Sequence, residues 1–487
     1  MALTSYNFRK GVDVPVFEWM SFFPAGLTYH GTSVDSDGVR YIYYAIQLGT
    51  TAVTASTTQL WRFDTWTNGW VFLATLTSGN RGIDINYDQS RNVLWIIYGA
   101  ALTEWRYFNL NLTSVTVAGL TTGAFSISTA IATVLPAGAD YGASITVPND
   151  TELVDQFDSG AVATGSTATN IIENTTGSEA SFHPMMVGLY VEFTSGTLNG
   201  QRRLITAVAT GGASLTCSAF GSAPTAGDTF KVVLPRGTAT SATTSTLVLS
   251  GAGWTANLYA NSDVEIVSGT GAGQRRRIAS NTTDTLTLSA AVPGAARTGN
   301  WSVTPDATSV FVIKPSNDFI YYQSGSTNTN LYRIDIEATT KAWTTLTALP
   351  AATSSGGDLK YPRSIAPFNL LQIRGAATSN IYYYNIGLNT WTTLTTYWGG
   401  EVLGTGGCTA MIYGKRRIMM FKESAQRVLV CKLVTGELEA GSTVPYAAPA
   451  AYDGKRAIYM KTPDGVEWVY WLRAGGQEFL RVPLEWL

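Results

Sequence analysis

Residues 60–73 read LWRFDTWTNGWVFL: an aromatic segment that ends at Asp64, a short polar turn, and an apolar segment that follows Trp70. Two apolar runs separated by a turn of this composition predict a β-hairpin. The Asp64 carboxylate can cap the turn by accepting backbone N–H groups, and the tryptophan can fill the space between neighbouring sheets. The hairpin is therefore the predicted building block of the fold.

The same pattern recurs along the chain with Asp or Asn at the end of the first segment. Asp64 and Asn109 are 45 residues apart, and Asp335 and Asn385 are 50 apart. These distances match the ~40–50 residues of one propeller blade. The repeats read LYRIDIEATTKAWTTL at 331–346, IYYYNIGLNTWTTL at 381–394 and, in a weaker form, WRYFNLNLTSV at 105–115.

These hairpins resemble the kelch-type β-propeller motif, in which an aromatic strand ends in Asp or Asn and Trp opens the next strand. The glycine doublets of that motif are only patchily present. We expect the segment Val14–Trp19 to pair with the last blade, because such closure removes open sheet edges. The resemblance implies about six blades, with five or seven left open, near residues 30–80, 85–123, 307–350, 360–400, 405–445 and 450–487.

A long segment separates the second hairpin from the third and contains a repeat of its own. VEFTSGTLNGQRRLI at 191–205 aligns with VEIVSGTGAGQRRRI at 264–278, at an offset of 73 residues. Both segments read as strand, turn and strand. The predicted fold class is all-β: a β-propeller of about six kelch-like blades, interrupted by two tandem small β modules. The predicted boundaries are 1–123 and 307–487 for the propeller, 124–306 for the insertion, and about 150–235 and 236–306 for its modules.

The paired SGTxxGQRR hairpins resemble small β modules of tailed-bacteriophage virion proteins. Together with the kelch-like blades they resemble tail nozzle or neck components of short-tailed phages. The resemblance implies a virion structural protein of the tail or neck, assembled in the host bacterial cytoplasm. It also implies a ring-forming homo-oligomer, a hexamer by expectation, that contacts other tail or neck proteins and transiently meets passing DNA. A host-glycan-binding adhesin and a capsid or tail appendage protein remain alternatives.

The composition and charge of the chain argue against several kinds of ligand and partner. Lys and Arg number 32 and Asp and Glu number 34, so the net charge is −2 and there is no global basic field to recruit nucleic acid. The three cysteines show no metal-binding spacing. No apolar run is long enough for a membrane-spanning helix. We expect no cofactor, no metal and no membrane insertion.

The sequence contains few candidates for catalytic residues. The chain has two histidines, His30 and His183, too few for the copper site of kelch-type galactose oxidase within the propeller. Asp35 and Asp37 begin like the Asp-box of sialidases, but a polar turn explains them better. We therefore expect no enzyme, with a polysaccharide-degrading propeller as the rival interpretation. The candidate interface or DNA-facing residues are the arginines of the two hairpins, Arg202, Arg203, Arg275, Arg276 and Arg277.

Overall fold

The computed structural model describes residues 18–23, 32–48, 57–76, 82–99, 102–148, 157–175, 182–326, 328–354, 357–362, 365–375, 378, 380–394, 407–412, 417–422, 427–433, 438–443, 457–462, 465–472 and 478–483. Regular structure in these residues consists of β-strands and one short 3₁₀ helix, which confirms the expected all-β class. Within the same residues, no helix has the length and apolar character needed to cross a membrane.

The strands are numbered in chain order. The first eleven are β1 (Glu18–Trp19), β2 (Thr32–Ser36), β3 (Tyr41–Leu48), β4 (Thr57–Asp64), β5 (Gly69–Leu76), β6 (Asp84–Asp88), β7 (Val93–Ile97), β8 (Trp105–Asn109), β9 (Val115–Val117), β10 (Leu120–Thr122) and β11 (Ser144–Thr146). The next thirteen are β12 (Asp158–Ala161), β13 (Asn170–Ile172), β14 (Tyr190–Phe193), β15 (Arg202–Val208), β16 (Ser214–Cys217), β17 (Thr229–Val233), β18 (Arg236–Thr238), β19 (Ser241–Ala242), β20 (Thr246–Val248), β21 (Ser262–Ser268), β22 (Arg275–Asn281), β23 (Thr285–Leu288) and β24 (Val310–Pro315). The 3₁₀ helix, Pro184–Met186, lies between β13 and β14. The last fourteen are β25 (Phe319–Gln323), β26 (Leu331–Asp335), β27 (Trp343–Thr345), β28 (Asp358–Lys360), β29 (Asn369–Ile373), β30 (Ile381–Asn385), β31 (Thr390–Leu394), β32 (Gly407–Ile412), β33 (Arg417–Lys422), β34 (Arg427–Lys432), β35 (Leu438–Thr443), β36 (Ala457–Lys461), β37 (Glu467–Leu472) and β38 (Phe479–Pro483).

Among the strands that the structure describes, six small antiparallel sheets contain most of those outside the insertion. The second sheet has three strands and is extended by residues 126–135, which run along β8; the Ser128 N–H donates to the Tyr107 carbonyl at 2.9 Å. A separate hairpin, β9-β10, follows β8. The first to sixth sheets have the strand orders β2-β3-β4-β5, β6-β7-β8, β11-β25-β26-β27, β28-β29-β30-β31, β32-β33-β34-β35 and β36-β37-β38-β1.

The sixth sheet joins the two ends of the chain. Glu18 in β1 lies opposite Arg481 in β38, and the Arg481 Nε donates to the Glu18 carboxylate at 2.9 Å. This pairing confirms the expectation that the N-terminal segment pairs with the last sheet, as far as residues 18 and 19. Residues 14–17 of the expected segment lie outside the described residues.

A buried apolar core lies between each sheet and the next, and one more lies between the sixth and the first. Trp95 and Trp105 of the second sheet pack with Tyr322 of the third. Phe63 of the first sheet packs with Phe479 of the sixth, with ring centroids 4.7 Å apart. Burial of such aromatic surfaces is the main stabilising contribution to this arrangement.

The insertion starts and ends at different places from those predicted. β11 (Ser144–Thr146) pairs with β25, so the chain enters the third sheet before the insertion begins. β24 (Val310–Pro315) pairs with β21 inside the insertion, past the predicted end at residue 306. The insertion therefore interrupts one sheet between its first and second strands, rather than lying between two sheets. The predicted boundaries of the insertion were placed where the amino-acid composition changes. Composition does not show which strands pair with each other.

The two halves of the insertion share one topology. Module 1 is the sheet β12-β17-β14-β15-β16-β13, and module 2 is β18-β24-β21-β22-β23-β20-β19. Even a β-bulge is repeated, between Ile205 and Ala207 in one module and Ile278 and Ser280 in the other. The modules share one core, in which the Trp254 Nε1–H donates to the Tyr190 hydroxyl at 2.9 Å.

The insertion packs directly on the sheets that follow it. Tyr259 makes an edge contact with Phe368, with ring centroids 5.4 Å apart. Met185 lies in the core between the fourth and fifth sheets. The imidazole Nε2 of His183 lies 3.1 Å from the Leu433 carbonyl. Modules and sheets are therefore held together through buried contacts.

Candidate functional site

First strands from five of the six sheets surround a small cavity of about 70 Å³, lined in part by Asp35, Asp84 and Asp358. Its first two strands are held by polar side chains at alternate positions. The Asp35 carboxylate accepts the Tyr87 N–H at 2.7 Å, and the Ser33 hydroxyl accepts the Ile85 N–H at 3.1 Å. Asp35 and Ser33 therefore act as hydrogen-bond acceptors between the first and second sheets.

Hydrogen bonds of the same kind, from a backbone N–H of one first strand to a polar side chain of the preceding one, link the second sheet to the third and the third to the fourth. Asp84 accepts the Ile145 N–H at 2.8 Å, and the Asn86 side-chain oxygen accepts the Val147 N–H at 2.9 Å. The Ser144 hydroxyl accepts the Leu359 N–H at 3.0 Å. In the sequence, this contact corresponds to polar residues at positions i and i+2 of these short strands.

Asp37 forms the predicted polar turn rather than a sialidase-type site. Its Oδ1 accepts the backbone N–H groups of Val39, Arg40 and Tyr41 at 2.8–2.9 Å. Three donors on one oxygen hold the turn between β2 and β3.

The Asp and Asn residues of the repeated hairpins cap their turns as predicted. Asp64 accepts from the Trp66 N–H at 2.9 Å, and Asn385 accepts from the Leu388 N–H at 2.8 Å. Asn109 and Asp335 cap in the same way. The hydrogen bond from Arg40 lowers the pKa of Asp64 to about 2.

Arg277 was predicted to face DNA or another subunit, and the structure contradicts this. Its side chain is 6% exposed and donates to Asp318 at 2.8 Å. It also bonds to Asp335 and lies over the Phe319 ring. A guanidinium buried between two carboxylates cannot contact a polyanion, so Arg277 joins module 2 to the third sheet. The sequence placed Arg277 in the second strand of its hairpin but could not show which part of the chain covers that strand.

Arg275 also forms hydrogen bonds to other residues of the same chain. Its Nε donates to Asp263 at 2.9 Å, and its Nη2 donates to the Pro315 carbonyl at 3.1 Å. Arg297 reaches the same Asp263 oxygen at 3.1 Å. Arg275 is 17% exposed and is therefore placed to orient β24 rather than to bind a large partner.

The other three predicted arginines are half-buried, with part of each side chain open to solvent. Arg202 contacts Glu192 at 3.2 Å, and Arg203 donates to the carbonyls of Ala219 and Arg202. Arg276 donates to the Asn300 carbonyl at 2.9 Å.

A cleft of about 400 Å³, which was not predicted, lies between the two modules. Arg202 and Arg203 of module 1 line it together with Arg236 and Tyr190. Arg236 was missed because only the packing of the modules brings it to β15. Tyr190 lies opposite Leu204 of β15, directly before the repeated hairpin segment. Burial raises the pKa of Tyr190, so its hydroxyl stays protonated.

Among the described residues, no three or more His, Cys, Asp or Glu side chains form a group that could hold a metal ion. His183 is fully buried, and its Nδ1 accepts the Met185 N–H at 3.0 Å, which gives it a capping role. His30 lies outside the described residues.

Comparison with known proteins gives only distant matches. No family model matches the chain. No curated protein matches it. Among solved structures, a point mutant of the NanB sialidase from Streptococcus pneumoniae is 10% identical, with 96% of this chain and 70% of that chain covered at a TM-score of 0.33. NanB with an ethanesulfonate ligand gives the same identity and coverage at a TM-score of 0.34. YjhT is 16% identical at a TM-score of 0.24, and the match covers 35% of this chain and 63% of YjhT.

These matches correct one expectation. The sequence led us to expect no enzyme, whereas the matched NanB structures are sialidases, which are enzymes. The expectation of no enzyme was therefore wrong. At these identities and TM-scores, no reaction or substrate transfers from NanB to this chain.

Proposed function

We propose that this chain is a structural component of a tailed-bacteriophage virion, in the tail or neck, with the tail nozzle as the favoured position. In this proposal the six sheets are the blades of a closed six-bladed β-propeller. The two modules are its lateral or axial contact elements. Copies of the chain assemble into a symmetric ring, a hexamer by expectation, which gives passage to DNA and attachment to other tail proteins.

The observation that carries the proposal is the way the duplicated modules are attached. Both carry the SGTxxGQRR hairpin and share one core, and module 2 is tied to the third sheet through Arg277 and Asp318. Module 1 is held by the buried contacts of Met185 and His183 with the fourth and fifth sheets. A part attached through a buried ion pair and apolar packing holds a fixed direction relative to the sheets. Subunits of a ring need such fixed angles, because rotation between copies must close the circle.

The first sheet offers a surface for contact between copies. β5 is the outermost strand of that sheet, and its side chains Val71 and Phe72 are 43% and 46% exposed. Trp66, in the turn before β5, is 58% exposed. Phe22 is 59% exposed and follows Ser21, which hydrogen-bonds to Asn68 and Trp70 of the same hairpin. An apolar edge strand of this kind favours pairing with another chain.

DNA would pass through the ring of subunits and not through the middle of the sheets. The cavity between the first strands is about 70 Å³, far too small for a duplex. A ring of copies leaves a lumen whose width depends on the number of subunits. This distinction makes the proposal testable by imaging.

The test is negative-stain microscopy and sedimentation of the purified protein and of Phe72→Glu. The wild type should form closed rings with a wide lumen, and Phe72→Glu should stay monomeric with an unchanged β-sheet circular dichroism spectrum. Leu112→Glu is the matched control, because Leu112 is also an exposed apolar side chain, at 84%, but lies outside β5. A monomeric or trimeric wild type would count against the proposal. Binding to host glycans without ring formation would favour the adhesin alternative.

A further inference from the structure

The cleft between the modules is built mainly from cationic and hydrogen-bonding groups. Its volume of about 400 Å³ falls within the ~300–1,000 Å³ of sites that bind ligands. Of the described residues that line it, three are arginines, two are serines and none is acidic. Both modules contribute: Arg202 and Arg203 come from β15, and Arg236 opens β18.

Arg203 is held in place by backbone carbonyls, and no described carboxylate neutralises its charge. Its Nε donates to the Ala219 carbonyl at 2.7 Å, and its Nη1 donates to the Arg202 carbonyl at 2.8 Å. Its guanidinium carbon lies 4.9 Å from the centre of the Phe220 ring. Within the described part of the chain it forms no ion pair. A fixed guanidinium that keeps its full charge is suited to binding an oxyanion.

Arg202 and Tyr190 supply further donors on the same side. Arg202 contacts Glu192 at 3.2 Å through Nε, and this carboxylate is shared with Lys231 at 3.1 Å. The Tyr190 hydroxyl accepts the Trp254 N–H and still has its own proton to donate. Two guanidinium groups and a neutral phenol make a pocket of hydrogen-bond donors.

Module 2 does not repeat this arrangement. Arg275 contacts Asp263, and the position equivalent to Leu204 is Arg277, which is buried against Asp318. The cleft is therefore specific to module 1 and its border with module 2. A surface that merely repeated with the duplication would appear in both.

We propose that the cleft between the modules binds a phosphodiester group of a DNA backbone through Arg202 and Arg203. The proposal rests on the proposed role in DNA passage and deepens it by naming the groups that contact DNA. Planar guanidinium groups match the geometry of phosphate oxygens, and backbone contacts carry no sequence information. Binding should therefore be independent of sequence and sensitive to salt.

The experiment measures the affinity of the full chain for a fluorescent random-sequence DNA duplex between 50 and 300 mM NaCl. Arg203→Gln should lower the slope of log affinity against log salt by about one, which corresponds to about eightfold weaker binding at 0.1 M NaCl. The double variant Arg202→Gln/Arg203→Gln should lower it by about two. Arg276→Gln is the matched control: it sits at the equivalent place in module 2 and donates to the preceding carbonyl in the same way, but does not line the cleft.

Equal effects of Arg203→Gln and Arg276→Gln would overturn the proposal, as would no DNA binding at 50 mM NaCl. Tighter binding of dextran sulfate, with the same dependence on Arg203, would assign the cleft to an anionic glycan and overturn the DNA assignment. Sedimentation of the same samples separates the two proposals. Rings with no arginine-dependent DNA binding would refute only the cleft, and monomers with such binding would refute only the ring.

Discussion

Module 1 and module 2 share the order of six strands, to which module 2 adds β19, and they share a bulge, yet they attach to the rest of the protein differently. Module 1 contributes Met185 and His183, which lie in buried contacts with the fourth and fifth sheets. Module 2 contributes Arg277, which is buried against Asp318 and Asp335 of the third sheet. One topology thus carries two kinds of attachment.

A single position makes this difference visible. The offset of 73 residues aligns Leu204 with Arg277, and both side chains are buried. Leu204 packs in the core shared by the modules, whereas Arg277 faces two carboxylates. The backbone of a duplicated unit is preserved by its strand pattern, while single inward-facing positions are free to acquire a new partner.

The largest expected effect comes from making module 2 resemble module 1 at this position. Arg277→Leu leaves the buried Asp318 and the half-buried Asp335 without the cation that contacts both. Breaking one side of a buried ion pair should lower the free energy of unfolding by about 3–5 kcal/mol. Urea unfolding followed by tryptophan fluorescence measures the change.

Arg276→Leu is the matched control for this prediction. It removes hydrogen bonds at the surface and should cost about 1 kcal/mol. Arg91 and Arg297 also lie 3.5 and 3.4 Å from Asp318. If Arg277→Leu were as stable as the wild type, these two arginines would be sufficient and Arg277 would not be the link.

A smaller effect is expected from loosening the contact between the modules. The hydroxyl of fully buried Tyr259 donates to the Gly188 carbonyl at 2.7 Å, which ties module 2 to module 1. Tyr259→Phe leaves that carbonyl without this donor and should cost about 1–3 kcal/mol. Hydrogen exchange should rise in peptides of both modules.

Tyr322→Phe provides the comparison within the sheets. Its hydroxyl donates to the Ala137 carbonyl at 2.8 Å, so the chemistry of the loss is the same. Exchange should then rise around the third sheet and not in the modules. If both variants raised exchange over the whole molecule, the two modules would not be a separate cooperative unit.

The sequence predicted most of the local structure, because hairpins leave a local signal. The turn caps at Asp64 and Asn385 and the pairing of Glu18 with β38 were all predicted. The start of the insertion was not, because Ser144–Thr146 is three residues long and pairs with β25 far away in the sequence. Short strands with distant partners carry too little periodicity to be recognised.

Less of the candidate site was predictable. The repeated arginines identified the right hairpins, but the sequence did not show what packs against each of the five side chains. Their fates differ because of what packs against each strand: Asp318 covers Arg277, whereas Arg203 borders the cleft. The partner of a side chain depends on how sheets pack, and that information is not contained in a fifteen-residue pattern.

The smallest expected effect on stability concerns the turn caps of the repeated hairpins. Asp64 and Asn385 both accept backbone N–H groups in their turns, but only Asp64 carries a charge. The Arg40 hydrogen bond holds the pKa of Asp64 at about 2, below the ~3.9 of an unfolded aspartate. Between about pH 4 and pH 2 the unfolded chain therefore binds more protons at this group than the folded chain, so stability falls as pH falls. The contribution is complete above about pH 4 and is lost toward pH 2.

Asp64→Asn keeps a turn acceptor but removes the ion pair with Arg40, so its cost should be full at pH 7 and shrink as the pH falls to 3. Asn385→Ala removes an uncharged cap, and its cost should stay constant over the same range. Thermal unfolding of both variants at several pH values compares the two slopes. A cost of Asp64→Asn that did not change with pH would mean that the carboxylate acts only as a hydrogen-bond acceptor, as Asn385 does, and that charge adds nothing to this repeat.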